Sequence, residues 1–375
     1  MTVPSRSPVR VLVVDDSVVV RRLVTRVLED AEGIEVAGTA PNGRIALEKT
    51  PRLAPDLITL DVEMPEMDGL ETLRRLATTH PSVPVVMFST LTERGAGVTM
   101  EALLRGARDY VTKPANVGSV AESLEQIRTQ LVPKIHALTG GPAPSSAPPT
   151  PTSRGSSVPA RAVGAPTPRA APASGRVAAV VVGVSTGGPN ALAELVPALP
   201  ADLGVPVLIV QHMPPMFTRL LAERLDGLSA LPVREASHGE PVTDAVVLAR
   251  GDHHLGLRRT GGTTELVLGQ GPPENSCRPA ADVLFRSAVE VYDGDVLAVV
   301  MTGMGADGRR GCGRVRAAGG QVLAQDEATS VVWGMPSAVV GDGLADAVVP
   351  LGGLAGEIAN RVARSGRSGA RTGVA

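Results

Sequence analysis

The chain has 375 residues, a formal net charge of −2 and two cysteines, Cys277 and Cys312. A nearly neutral chain has no bulk electrostatic attraction to nucleic acid or to a membrane surface, so we expect neither as a partner. The cysteines lack a C-x-x-C spacing, which argues against a disulfide framework or a thiolate zinc site and favours structural roles. No stretch approaches the ~20 apolar residues of a membrane span or the apolar core of a signal peptide, so we expect a cytoplasmic protein without membrane insertion.

Residues 9–131 alternate between apolar, strand-like runs and amphipathic, helix-like stretches. This alternation predicts a doubly wound, flavodoxin-like parallel sheet with its site at the carboxyl ends of the strands. Polar side chains follow several of the predicted strands at these ends. They are Asp15 and Asp16 after the first strand, Asp61 after the third, Ser89 after the fourth and Lys113 after the fifth.

Carboxylates that cluster at one sheet edge repel each other unless a cation is present, and hard oxygen ligands of this kind suit Mg²⁺. A carboxylate beside a bound Mg²⁺, a hydroxyl and an ammonium group can accept a phosphoryl group and have its charge neutralised. Any one of these acids alone is more simply explained as a solvated loop residue. Their joint placement favours a phosphorylation site.

Over residues 9–131 the sequence resembles the receiver domains of two-component signalling proteins. The motifs that carry the resemblance are LDVEMPEMDG around Asp61 and YVTKP around Lys113. The resemblance implies that Asp61 accepts a phosphoryl group from a histidine kinase, with Mg²⁺ as cofactor. It also implies a cis peptide bond between Lys113 and Pro114. By the same resemblance, the metal ligands are Asp15, Asp16 and Asp61, and the switch residues are Ser89 and Lys113.

Residues 139–175 are rich in proline, alanine, serine and glycine and contain little to bury. Such a composition predicts a disordered, flexible linker. Residues 176–365 return to alternating strand-like and helix-like runs, which predict a second α/β domain with a mainly parallel sheet. Within it, the TELVLG segment follows Gly261 and Gly262 and is more consistent with a local hairpin.

The stretch VAAVVVGVSTGG, from Val177 to Gly188, predicts a buried strand, a glycine-bracketed turn and the start of a helix. It puts Ser185 at a strand-to-helix corner, where free N–H groups at the helix N-terminus can stabilise an oxyanion. His212 and Asp307 follow two other predicted strands, so parallel strands would bring all three residues to one sheet edge. There an imidazole can activate the hydroxyl, and a carboxylate can orient the imidazole. Taken alone, each residue has a simpler explanation as a turn or strand-end residue.

Residues 176–365 resemble the catalytic domain of the bacterial chemotaxis protein-glutamate methylesterases. The resemblance is carried by GVSTGGP at Ser185, QHMPPMFTRLLAERL at His212 and MTGMGADG at Asp307. The longer segments GPPENSCRPAADVLFRSA and AQDEATSVVWGMPSAV agree along their length. The order of receiver, linker and esterase is also the order found in that family.

This second resemblance implies a phosphorylation-activated hydrolase that demethylates glutamate γ-methyl esters on the cytoplasmic helices of chemoreceptors. Members of the family also deamidate receptor glutamines. Ser185 is then the nucleophile, His212 the base and Asp307 the residue that orients the base. The backbone N–H groups near Thr186 and Met304 would hold the oxyanion, and the ester chemistry itself would need no cofactor.

Two alternatives remain open on the residues alone: a serine hydrolase for small esters or peptides, and a phosphorylation-gated adaptor with a vestigial triad. A deep apolar pocket around Ser185 would favour the first, whereas a shallow groove able to seat a helix would favour a receptor substrate. A DNA-binding output is not supported, because no compact helix-turn-helix pattern follows the linker. The other histidines carry weaker signals: His253 and His254 would face opposite sides of a strand and so not chelate together, and His80, His136 and His238 are expected at the surface or in loops.

Overall fold

The computed structural model describes residues 7–90, 92–114, 119–140 and 176–369. It contains a five-stranded sheet, a seven-stranded sheet and a separate two-stranded hairpin. Helices cover the two large sheets, so the predicted α/β class with parallel sheets is confirmed. None of the helices in the described ranges is both long and apolar enough to cross a membrane.

The first sheet lies in the N-terminal part of the chain and alternates strictly with helices. Its elements are β1 (Val9–Val14), α1 (Val18–Glu29), β2 (Ile34–Ala40), α2 (Gly43–Leu53), β3 (Leu57–Asp61), α3 (Gly69–Thr79), β4 (Val85–Ser89), α4 (Glu93–Leu104), β5 (Asp109–Thr112) and α5 (Val120–Thr139). All neighbouring strands are parallel, in the order β2-β1-β3-β4-β5. The strand order reverses between β1 and β3, which is where ligands bind in open sheets of this kind.

The second sheet lies in the C-terminal part and is also parallel throughout. Its elements, with the hairpin, are β6 (Ala179–Val184), α6 (Gly188–Leu195), β7 (Val207–Gln211), α7 (Pro215–Asp226), β8 (Val233–Glu235), β9 (Val246–Leu248), β10 (His254–Thr260), β11 (Thr263–Gly269), α8 (Ala281–Val291), β12 (Val296–Val300), α9 (Arg309–Ala317), β13 (Gln321–Gln325), α10 (Gly334–Gly341), β14 (Ala347–Val349) and α11 (Leu351–Gly369). The strand order is β14-β13-β12-β6-β7-β9-β8. Strands β6, β7 and β12 are fully buried, because helices cover both faces of the sheet.

The predicted hairpin around TELVLG is confirmed: β10 and β11 pair antiparallel, with Thr260 opposite Thr263 across Gly261 and Gly262. Strand β8 was not predicted from the sequence, because three residues carry too little alternation to stand out.

Helix starts differ between the two parts of the chain. Helices α1 to α5 each begin with a side chain that accepts a hydrogen bond from a first-turn N–H group, which stabilises the helix start. These residues are Ser17, Asn42, Asp68, Thr92 and Ser119. Within the described chain, α6 to α10 have no such cap, so their first N–H groups are open to other acceptors.

The two parts pack against each other. Helix α4 packs against α6 and α7, and one cluster of buried apolar side chains includes residues of both sheets. At the centre of the contact, Tyr110 of β5 stacks on Phe217 of α7, with ring centroids 4.5 Å apart. Both rings are buried, so this contact is an apolar packing contact between the two parts, like those inside a hydrophobic core.

Three expectations from the sequence need comment. The predicted linker falls outside the described residues from position 141 onward, and Thr139 still belongs to α5. His136 is buried on the inner face of α5 instead of lying at the surface, because helix periodicity turns it inward with Ile135.

Among the described residues, the cis peptide bond is Arg278–Pro279, not the expected Lys113–Pro114. The two isomers of a bond before proline differ by only about 0.5–1 kcal/mol, which is too little for the sequence to decide.

Candidate active site and phosphorylation site

An acidic pocket lies at the carboxyl edge of the first sheet. One carboxylate oxygen from each of Asp15, Asp16 and Asp61 lies within 4.8 Å of the others. The ammonium group of Lys113 is 2.8 Å from Asp15 and 2.7 Å from Asp61. Burial, together with the nearby charge of Asp15, raises the pKa of Asp61 to about 6. A divalent cation would relieve this repulsion, so the residues fit the hard oxygen site that Mg²⁺ requires.

Ser89 ends β4 beside this pocket but does not touch the carboxylates. Its buried hydroxyl accepts a hydrogen bond of 2.6 Å from Thr99 of α4 and donates at 3.2 Å to the carbonyl oxygen of Gly95. The Ser89 carbonyl accepts a 2.6 Å hydrogen bond from the N–H group of Lys113, which ties the ends of β4 and β5 together. The hydroxyl is therefore directed at α4, the helix that packs against α6 and α7 of the second part.

The second candidate site lies at the carboxyl edge of the second sheet. Ser185 directly follows β6, His212 directly follows β7, and Asp307 lies in the loop after β12. Strand β6 lies between β12 and β7, so three adjacent parallel strands bring these residues to one edge. Ser185 and His212 line the same cavity, which has a volume of about 660 Å³.

Asp307 is almost fully buried, and both of its oxygens are hydrogen bonded. Oδ2 is 2.8 Å from Nε2 of His212 and accepts from the N–H group of Ala281 at 2.6 Å. Oδ1 accepts from Nδ2 of Asn275 at 2.8 Å and from the N–H groups of Asp282 and Gly308 at 3.1 and 2.9 Å. Burial alone would raise the pKa of Asp307, but these donors lower it below its ordinary value. The carboxylate thus occupies the uncapped N-terminus of α8, where helix amides favour an anion.

His212 is held at both ring nitrogens. Nε2 faces Asp307, and Nδ1 lies 3.5 Å from the sulfur of Cys277. Burial lowers the pKa of His212, but the hydrogen bonds to Asp307 and Cys277 outweigh burial and raise it. Among the described residues, the Ser185 hydroxyl has no hydrogen-bond partner. The imidazole of His212 thus contacts the thiol of Cys277 and not the hydroxyl of Ser185. Cys277, expected from the sequence to be only structural, therefore belongs to this site.

The backbone around Ser185 is fixed by its neighbours. Its N–H group donates to the carbonyl of Thr302 at 2.9 Å, and its carbonyl accepts from the side chain of Gln211 at 3.0 Å. Gly187 has a φ of 78°, a left-handed conformation that glycine adopts without strain and that the tight turn requires. Any Cβ at Gly303 would lie 2.8 Å from the Cβ of Ser185, so only glycine fits there.

The two predicted oxyanion donors have free amides. In the described part of the chain, the N–H groups of Thr186 and Met304 have no hydrogen-bond partner. Both residues line the cavity that contains Ser185. Unpaired N–H groups beside a hydroxyl are the arrangement that stabilises a tetrahedral oxyanion.

The opposite wall of the cavity comes from the first part of the chain. Arg108, Asp109, Tyr110 and Lys134 line it. The hydroxyl of Thr186 donates a 2.7 Å hydrogen bond to Asp109, and both residues are buried. Lys134 neutralises Asp109 at 2.8 Å. The residue after the candidate nucleophile is thus tied directly to the end of the first sheet.

The adjacent histidines of the second part, His253 and His254, each contact a backbone carbonyl and do not converge on a common ligand. Nε2 of His254 lies 3.0 Å from the carbonyl of Pro272, and Nδ1 of His253 lies 3.1 Å from the carbonyl of Gly251. Across the described ranges, the acidic trio of the first sheet is the group of side chains that could hold a metal ion.

Comparison with known proteins agrees with the two-part organisation. A family model for the response regulator receiver domain matches residues 11–125, and one for the CheB methylesterase matches residues 180–358. The chain is 52% identical over 363 residues to a protein-glutamate methylesterase/protein-glutamine glutaminase of Nocardioides sp., covering 95% of this chain and 96% of the relative. It is 48% identical over 366 residues to a protein of the same name from Trichodesmium erythraeum, covering 94% and 99%.

Solved structures with similar sequences include the CheB methylesterase catalytic domain of Thermotoga maritima, which is 43% identical with a TM-score of 0.48 and covers 49% of this chain and 98% of that one. The response regulator domain of Thermotoga maritima CheB is 40% identical with a TM-score of 0.31 and covers 34% and 94%. The family resemblance inferred from the sequence is confirmed by the matching families and relatives.

Binding of Mg²⁺ at the acidic pocket should be visible as stabilisation of the first part of the chain. At ten times its Kd, the ion should add about 1.4 kcal/mol, because it binds the folded state alone. Calorimetric melting with and without Mg²⁺ measures this shift. Asp15→Asn should remove most of it, whereas Glu101→Gln, on an exposed helix face, should keep it. An undiminished Mg²⁺ effect in Asp15→Asn would contradict the assignment.

Proposed function

The chain belongs to the protein-glutamate methylesterase/protein-glutamine glutaminase family, and on this premise we propose that it hydrolyses glutamate γ-methyl esters on chemoreceptor helices with Ser185, His212 and Asp307. One observation carries the proposal: these residues and the two free amides of Thr186 and Met304 gather at one sheet edge. A cytoplasmic location follows for the enzyme, because its substrate helices lie in that compartment.

The reaction begins when Ser185 Oγ attacks the ester carbonyl carbon and its proton passes to His212. Asp307 holds the resulting imidazolium at Nε2, so the proton must arrive at Nδ1. The carbonyl oxygen becomes an oxyanion and accepts hydrogen bonds from the N–H groups of Thr186 and Met304. Methanol leaves with the proton from His212, and water then releases glutamate from the acyl-serine by the reverse proton path. A glutamine amide follows the same route with ammonia as the leaving group.

The resting arrangement is not ready for this chemistry. Nδ1 of His212 faces Cys277 instead of Ser185, and the hydrogen bonds to Asp307 and Cys277 raise the pKa of His212, which favours the protonated imidazole. A protonated imidazole cannot accept the serine proton. Activation must therefore rotate or release the imidazole from the thiol before Ser185 can react.

Access to Ser185 also requires movement of the receiver. The wall formed by Asp109, Tyr110 and Lys134 closes the cavity on the receiver side, which leaves space for a side chain but not for a helical bundle. Phosphorylation of Asp61 would draw Ser89 and Lys113 toward the phosphoryl group and so disturb α4 and β5, the elements that contact the second part. The alternative activity, hydrolysis of small esters, would be possible without this opening.

Ser185→Ala should abolish methanol release from methylated receptor, because it removes the hydroxyl that attacks the ester carbonyl. The measurement is methanol released by the full-length enzyme with acetyl phosphate and Mg²⁺. Ser337→Ala, on α10, is a matched control and should retain activity. Hydrolysis that survives Ser185→Ala would reject the nucleophile, and equal turnover of small esters without phosphodonor would favour the alternative activity.

Asp61→Asn should keep basal methanol release and lose its stimulation by acetyl phosphate. The amide keeps the shape of the pocket but cannot form the acyl phosphate. Comparison of both rates in wild type and variant tests this expectation, and Asp56→Asn at the opposite end of β3 serves as control. Equal stimulation of Asp61→Asn and wild type would rule out this phosphorylation site.

Removing the bond between Asp109 and Thr186 should raise basal activity. A charge-assisted hydrogen bond contributes ~1.5–3 kcal/mol, so Asp109→Ala should increase unstimulated methanol release about tenfold and leave the stimulated rate nearly unchanged. Arg219→Ala removes the exposed interdomain ion pair with Glu93 and should change the basal rate less than about twofold. A basal rate that stays constant or falls in Asp109→Ala would contradict this role.

A further inference from the structure

A tight turn from Glu274 to Cys277 lies against the candidate site. The N–H group of Glu274 donates to the carbonyl of Cys277 at 3.0 Å, and the reverse bond is 2.9 Å long. The two central residues, Asn275 and Ser276, have φ angles of 53° and 62°. Positive φ at both central positions is the pattern of a two-residue type I′ turn, in which asparagine is favoured at the first position.

The side chain of Asn275 connects two buried carboxylates. Its Nδ2 atom donates to Oδ1 of Asp307 at 2.8 Å and to Oδ2 of Asp282 at 3.0 Å. Asp282 is completely buried, and its other oxygen accepts from the N–H group of Gly311 at 2.6 Å. Two buried carboxylates need hydrogen-bond donors, and the Nδ2 group of Asn275 donates one hydrogen bond to each.

The turn is anchored on the same helix that receives Asp307. Glu274 forms two hydrogen bonds of 2.7 Å with Arg286 of α8. The first two N–H groups of α8, those of Ala281 and Asp282, bind Asp307 directly. Turn, helix and carboxylate thus form one rigid unit, because each member is held by at least two charge-assisted or backbone hydrogen bonds.

We propose that Asn275 is a positioning residue for the hydrolysis: its amide fixes the Asp307 carboxylate in the orientation that holds Nε2 of His212. The proposal rests on the proposed function of the site. An acidic residue would not meet the requirement at this position, since it would bring a third carboxylate against Asp282 and Asp307. The left-handed turn sets the direction of the amide, so backbone conformation and function are coupled at Asn275.

The test separates the amide from the turn by using glycine. Asn275→Gly removes the amide but suits a positive φ, so the turn keeps its shape. In the full-length enzyme with acetyl phosphate and Mg²⁺, it should lower kcat for methanol release about tenfold and change KM less than twofold. Labelling of Ser185 by a fluorophosphonate probe should slow by a similar factor, since that reaction reports activation of the hydroxyl by His212 without receptor binding.

Two variants complete the design. Ser276→Gly changes the other left-handed residue of the turn and should keep both rates, because Ser276 does not contact Asp307. Asn275→Asp preserves size but adds charge, and should lower kcat more than Asn275→Gly does. Fluorescence of Trp333, the single tryptophan, checks that each variant unfolds at the urea concentration of the wild type.

The outcomes discriminate between the proposals. Rates within twofold of wild type in Asn275→Gly would overturn the role of Asn275, as would an equal loss in Ser276→Gly. A loss expressed in KM alone would assign Asn275 to receptor binding and equally overturn it. Absence of methanol release by the wild type would instead reject the proposed function, a result distinct from any difference among the turn variants.

Discussion

The buried carboxylate of Asp307 is the feature on which the second half of the molecule depends. An ionised group so deeply removed from water is tolerated only when donors surround it, and here they come from His212, Asn275 and the amides that open α8. These donors belong to the end of β7 and, much later in the chain, to a turn and the start of α8. The same hydrogen bonds that stabilise the charge therefore fix the relative positions of these elements. Asp307, held in this way, in turn fixes the position of the His212 imidazole.

The two halves use helix termini differently. In the receiver, a capping side chain accepts a hydrogen bond from one first-turn N–H group in each of α1 to α5, and the candidate site consists of carboxylates at the sheet edge. In the esterase, helices α6 to α10 begin without a side-chain cap, and free amides become part of the candidate site: those of α8 bind Asp307, and the turn before α6 presents the amide of Thr186. Both solutions follow from the same parallel-sheet architecture, in which strand ends and helix starts share one edge.

Much of this arrangement could be predicted from the sequence, because parallel strands deliver the residues that follow them to a common edge. That rule alone brings Asp15 to Asp61, and Ser185 to His212 and Asp307. It could not reveal Asn275 or Cys277, whose approach to the site depends on the tight turn between β11 and α8. Nor could it reveal the bond from Thr186 to Asp109, since a contact between two different sheets leaves no periodic signal in either segment. His136 was misjudged because the weak amphipathicity of α5 does not show which side faces inward.

The stacked pair of Tyr110 and Phe217 has an evolutionary consequence. Each ring is buried against the other half, so either half alone would expose an aromatic ring to water. A receiver transplanted from a distant relative would meet Phe217 with whatever side chain it carries at the position of Tyr110. Exchange of the receiver would therefore replace one half of this aromatic pair, and the fit at Phe217 would change with it.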